Sequence, residues 1–208
     1  MQTVTRRRAV WGLLVVTIVW GATFIWMKQA MNALQSEIDF YGQTAVVSVL
    51  VGGRFLIAAI ALFIGSSKAR AALREKELWS GGTVLGLILL VGFTTQMVGI
   101  DTISPSTSAF LTSLYVVFTA MISTKMTGQP VTRMMIAGVL LATFGAGFIE
   151  GPPHLSWGKG EILTVICAFF FALHIIFTQS ITQRMDPLGV TITSFLIVSI
   201  GSLAISFL

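Results

Sequence analysis

Apolar residues in this chain neither alternate nor keep to a single helical stripe; they come in long runs broken by short polar stretches. A helix that is apolar all round belongs in a protein interior or a membrane. About 20 such residues span the hydrocarbon core of a bilayer. The runs 9–31, 44–64, 79–100, 103–123, 133–149, 160–180 and 188–208 predict about seven spanning helices, the fifth of them short. The third and fourth are parted only by Asp101 and Thr102, and Ser104-Pro105 supports a turn there, because proline fits the first turn of a helix. The longest polar stretch, 66–77, predicts a short amphipathic turn or helix, and no room is left for a soluble domain. The fold class is therefore all-α integral membrane.

Composition supports this. Of 208 residues, 55% are hydrophobic and 10% charged, against about 25% charged in soluble domains. A globule still needs a polar exterior, so the solvent for much of this chain is lipid. The lone Cys167 excludes an internal disulfide and a cysteine metal cluster. The net charge of +5 does not mark a nucleic-acid binder, because the charges occupy short loops between apolar runs. Run 9–31 is longer than the roughly 7–15 residues of a signal-peptide core, so it is expected to remain as a span.

The loop charges set a topology. Arg6, Arg7, Arg8, Lys68, Arg70, Arg74, Lys76, Lys125, Arg133 and Arg184 fall on one side, and Lys159 alone on the other. Basic loops stay in the cytoplasm, so the amino terminus is expected there. Glu37, Asp39, Asp101, Glu150 and Glu161 lie in the opposite loops.

Trp20, Gly21 and Phe24 in the first span, Arg54-Phe55 in the second, the run from Ser108 to Phe118 in the fourth, Gly138 and Gly145 in the fifth, and Gly160, Ala168 and Ala172 in the sixth together resemble the EamA-type branch of the drug/metabolite transporter superfamily. That resemblance implies a ten-helix fold of two inverted five-helix repeats. Residues 9–149 would form the first repeat, and 160–208 two helices of the second. It also implies a bacterial-type inner membrane, export, and alternating access. This chain departs from the family in three ways: no proline near Ala120, Gln129 where an acid is common, and an end at Leu208 before helices eight to ten. The chain is therefore expected to be part of a longer transporter, or to need a partner copy, a possible homodimer.

Candidate chemistry lies inside the spans. Gly82 with Gly86, and Gly92 with Gly99, read as helix-packing positions. Ser108, Thr112, Tyr115, Thr119 and Ser123 share one face of the fourth span; they either bond within and between helices or line a polar cavity. Trp20 lies mid-span, whereas tryptophan favours the interface; with Phe24 it offers either core packing or an aromatic substrate surface. Lys28, at the outer end of that face, is expected to snorkel to the headgroups. Arg54 is central, at a cost of at least ~2.5 kcal/mol, and must face the protein interior or water; a structural role is favoured slightly over a cavity charge. His174 shares a face with Thr164, Cys167, Phe171 and Thr178, and serves as a neutral hydrogen-bonding group or a proton carrier. Gln96 is a further substrate contact. No Asp or Glu lies deep in a span, and no cofactor, metal or nucleophile motif is present in the sequence.

The reading is a carrier of small organic solutes, not an enzyme, with Trp20, Phe24, Gln96, Thr112, Tyr115 and His174 as substrate-binding residues. The alternatives are a non-transporting scaffold or assembly subunit, and a membrane enzyme, which would need clustered acids or histidines; His154 alone lies near the scattered outer carboxylates.

Overall fold

A computed structural model describes residues 2–127, 132–147 and 157–207. Among the described residues every regular element is helical: α1 (Gln2–Ala33), α2 (Gln35–Tyr41), α3 (Gln43–Gly65), α4 (Ser67–Ala72), α5 (Lys76–Thr102), α6 (Pro105–Ser113), α7 (Tyr115–Thr127), α8 (Arg133–Gly147), α9 (Lys159–Thr182) and α10 (Pro187–Ile205). Among the described residues, six stretches are long and apolar enough to cross a membrane: Val10–Ala33, Gln43–Gly65, Lys76–Thr102, Pro105–Thr124, Lys159–Thr182 and Pro187–Ile205. The fifth expected span is α8, which has 15 described residues, short of the ~20 that a perpendicular crossing takes. Gln129, Glu150 and His154 lie outside the described residues.

Local chemistry accounts for the boundaries. Ser104 caps α6, its hydroxyl accepting from Thr107 N at 3.0 Å with Pro105 in the first turn. Asp186 does the same for α10, accepting from Gly189 N at 2.8 Å ahead of Pro187. The polar stretch before α5 contains α4, capped by Ser66. Arg70 from α4 donates to the Phe63 and Ile64 carbonyls at the end of α3, at 2.8 and 3.1 Å, a cation on a helix carboxyl end.

Two features differ from the sequence expectation. The outer polar segment after α1 folds as a further helix, α2, and Gly42 leaves it at φ 88° before α3 begins; that backbone favours glycine. The fourth span is interrupted at Leu114, between α6 and α7, so the break falls beside Tyr115 rather than at a proline.

Packing centres on α5. It lies against α9 along one side and α10 along another, and α10 also packs on α3. Glycines make this approach possible. Gly82 seats on Thr193 of α10, and a Cβ on Gly86 would stand 2.7 Å from Ile197. Toward α9, a Cβ on Gly92 would come within 2.8 Å of the Phe171 ring, and one on Gly99 within 2.9 Å of the Gly160 carbonyl oxygen. The packing role expected for these four glycines holds. Thr193 adds a bond between helices, its hydroxyl reaching the Leu78 carbonyl at 3.2 Å. Among the described spans α1 is the least embedded: Trp11, Leu13, Val16 and Ile18, on different sides of the helix, are all exposed.

Candidate functional site

Three helices meet around a pair of layers. In the first layer, Gln96 of α5 is fully buried and donates from Nε2 to Thr112 Oγ1 of α6 at 3.2 Å. The buried Cys167 thiol of α9 lies beside the Thr112 hydroxyl. Gln96 Oε1 has no partner, and neither does the buried hydroxyl of Ser108, one turn before Thr112. A buried acceptor without a donor is costly in an apolar setting.

About one turn away along the same three spans is an aromatic ring: Phe93 on α5, Tyr115 at the start of α7 and Phe171 on α9. At 1.5 Å per residue the two layers lie about 5 Å apart. Phe93 and Phe171 meet edge to face with centroids 5.1 Å apart. Trp20 of α1 closes this layer, stacked on Tyr115 at 6.3 Å with 11° between planes, and edge-on to Phe171 at 6.5 Å. Trp20 keeps 40% of its surface exposed, so this ring is not a fully packed core residue.

The structure thus brings together four of the six expected substrate-binding residues: Trp20 with Tyr115, and Gln96 with Thr112. Phe24 is buried in the main apolar core. His174 is half-buried, one turn beyond Phe171 on α9, and forms no hydrogen bond among the described residues. Thr119, on the expected polar face beyond Tyr115, also has an unpartnered hydroxyl.

Lys28 behaves differently from the snorkelling expected of it. Its Nζ donates to the Ile100 and Asp101 carbonyls, at 3.0 and 2.5 Å. These carbonyls belong to the last turn of α5 and have no intrahelical partner, so they outcompete the headgroups for the ammonium. Beside them the Asp101 carboxylate accepts from Gln43 Nε2 at 2.8 Å, joining the ends of α3 and α5.

Arg54 lines a cleft between α1, α3 and α5 with a volume of about 240 Å³. Its guanidinium lies over the Phe93 ring, 5.0 Å from the centroid, and Nη1 approaches Met27 Sδ at 3.6 Å. Phe93 was missed by sequence reasoning, although it stands three residues before Gln96 and so on the same face. Trp26 of this cleft was missed because it lies away from the α1 face of Trp20, Phe24 and Lys28, and Met27 because an apolar residue within a span carries no polar signal.

Among the described residues no group of three His, Cys, Asp or Glu could hold a metal ion. What the layers offer is amide and hydroxyl hydrogen bonding above flat aromatic surface.

A family model described as the EamA-like transporter family matches residues 7–150. The chain is also 29% identical over 178 residues to a protein of Archaeoglobus fulgidus named an uncharacterized transporter, covering 85% of this chain and 50% of that protein. The chain spans about half the length of this curated relative. No solved structure matches.

Proposed function

The chain belongs to the EamA-like transporter family, and from that premise we propose that it carries, or forms part of a protein that carries, small organic solutes across a membrane. The observation that supports this most is the two-layer convergence of α5, α6–α7 and α9, with Gln96 Oε1 left unpartnered beside an aromatic wall that includes the half-open Trp20. A small amphipathic molecule would lay its apolar part on Trp20 and Tyr115 and direct a polar group to Gln96 and Thr112. Pockets of this kind bind mainly by shape, with a few polar fixes. Phe24 would shape the wall from behind, and His174 would meet the solute's other end or a proton. The break at Leu114 would let Tyr115 turn without unwinding α6, in keeping with the discontinuous helices found at transporter sites.

The basic loops favour an amino terminus in the cytoplasm. The family resemblance favours export from an inner membrane, with residues 9–149 and 160–208 belonging to two inverted repeats that rock about this site. The family and the relative's name point to a carrier rather than an enzyme.

Flux of labelled neutral aromatic and aliphatic solutes in everted membrane vesicles tests the proposal. Trp20→Ala and Tyr115→Ala should lower affinity while the protein still inserts. If both variants insert normally and transport like the unaltered protein, the layers serve packing alone.

A further inference from the structure

We propose that the cleft around Arg54 is a second binding site, separate from the two layers, for a small amphipathic carboxylate: one negative group on an aromatic or branched apolar body.

Three observations carry this. First, the guanidinium is poorly occupied. It has five N–H donors, and among the described residues its polar contact is a thioether sulfur at 3.6 Å, a weak acceptor. The other cations whose bonds are defined, Lys28 and Arg70, both end on backbone carbonyls at helix termini. Arg54 does not, and no carboxylate pairs with it among the described residues. Second, Arg54 is exposed within its cleft, with Phe93 holding the guanidinium from one side. This leaves donor edges open for the bidentate geometry that a carboxylate accepts. Third, the remaining wall is mostly apolar and aromatic, with Trp26 and Met27 from α1 and Leu50 and Phe55 from α3, while the hydroxyl of Thr23 is spent on the Trp20 carbonyl.

Depth and size narrow the ligand. Arg54 is the twelfth residue of the 23 in α3, roughly 16 Å from either end at 1.5 Å per residue. Lipid headgroup phosphates lie at the interface and do not reach that depth. A single cation in about 240 Å³ suits one carboxylate; a phosphoryl group carries up to two charges and three strong acceptors and asks for more donors than this wall provides. Phe93 separates the cleft from the layered site, facing Arg54 with its ring and meeting Phe171 at its edge. That the ligand is also a transported solute rests on the transporter reading; that it binds does not.

The test uses the whole chain, purified in detergent and again in phosphatidylcholine nanodiscs, with 3-phenylpropionate as the probe. Its uncharged amide, 3-phenylpropionamide, is the control. Calorimetry should show saturable binding of the acid in both settings, with the amide at least tenfold weaker. Arg54→Leu should bring the acid down to the amide's level, and Arg54→Lys should keep part of the preference. Equal binding of acid and amide, no binding of either, or a preference that survives Arg54→Leu overturns the proposal. So does binding that is present in detergent and absent in nanodiscs, which means that lipid fills the cleft. Where Arg54→Leu does not fold, the acid–amide comparison on the unaltered chain and on Arg54→Lys decides. Trp20→Ala and Tyr115→Ala should leave this binding intact, so a failure of the transport reading and a failure of this one are told apart.

Discussion

Replacing Gln96 by leucine separates a binding residue from a packing residue, because the two roles give stability changes of opposite sign. Gln96 is fully buried. Its one hydrogen bond, to Thr112, is long at 3.2 Å, and bonds between helices in a membrane average about 0.6 kcal/mol. Its Oε1 has no donor, and a buried acceptor left unpaired costs about 1–3 kcal/mol. Leucine removes the bond and the penalty together and fills a similar volume, while the Thr112 hydroxyl is free to turn to a carbonyl one turn back on its own helix. Gln96→Leu is therefore expected to lie between neutral and about 2 kcal/mol more stable. Solute affinity should fall about tenfold, the ~1.4 kcal/mol of one well-made hydrogen bond. Reversible unfolding of the purified protein by SDS in mixed micelles reads the first quantity, and binding on the same preparation reads the second. A loss of more than about 1 kcal/mol in stability would show that the carboxamide is fully paired in the folded protein, and the reasoning from its free oxygen would fail.

Lys28→Met leaves the Ile100 and Asp101 carbonyls without their ammonium and should cost about 1–3 kcal/mol by the same unfolding measurement; an unchanged midpoint would place Lys28 at the headgroups after all. Gly99→Ala drives a methyl toward the Gly160 carbonyl and should destabilise by about 1–3 kcal/mol, whereas Gly138→Ala, which meets nothing within 4 Å, should be silent. Cysteines placed at the exposed positions Ser36 and Ala71 should divide under an impermeant thiol reagent on intact cells, Ser36 labelled and Ala71 protected; the reverse pattern would invert the topology drawn from the basic loops.

The spans were legible because a membrane helix is specified by length and apolarity, which are local properties. The turn at Ser104-Pro105 and the glycine contacts of Gly82, Gly86, Gly92 and Gly99 were legible for a related reason: capping and close approach depend on residue type at one position. The helix Gln35–Tyr41 was not, because a seven-residue polar helix carries no span-length signal and takes its limits from Leu34 and Gly42. Lys28's destination was hidden because the carbonyls it meets lie 72 and 73 residues away, and no periodicity encodes which helix ends become neighbours. At the site, the faces of α6–α7 and α9 could be read by counting residues. That Phe93 would separate two regions depended on α5 lying between α9 on one side and α1 and α3 on the other, which is a property of the assembled bundle.

The meeting of Gly99 with Gly160 bears on movement as well as on fit. Each glycine faces the other's carbonyl oxygen, with Thr164 and Leu163 beside Gly99 and Thr102 and Ile103 beside Gly160, so the backbones of α5 and α9 come almost into contact here. Backbones this close leave the two axes no room to approach further at this point, so a relative movement of α5 and α9 would turn about it. A tilt of about 10° there, at 1.5 Å per residue, would carry Phe93 by roughly 1.5 Å and the start of α5 near Gly82 by roughly 4.5 Å. A fulcrum near one face of the bilayer would thus hold the Lys28 tie almost still while the aromatic rings, farther down the lever, slide apart or close.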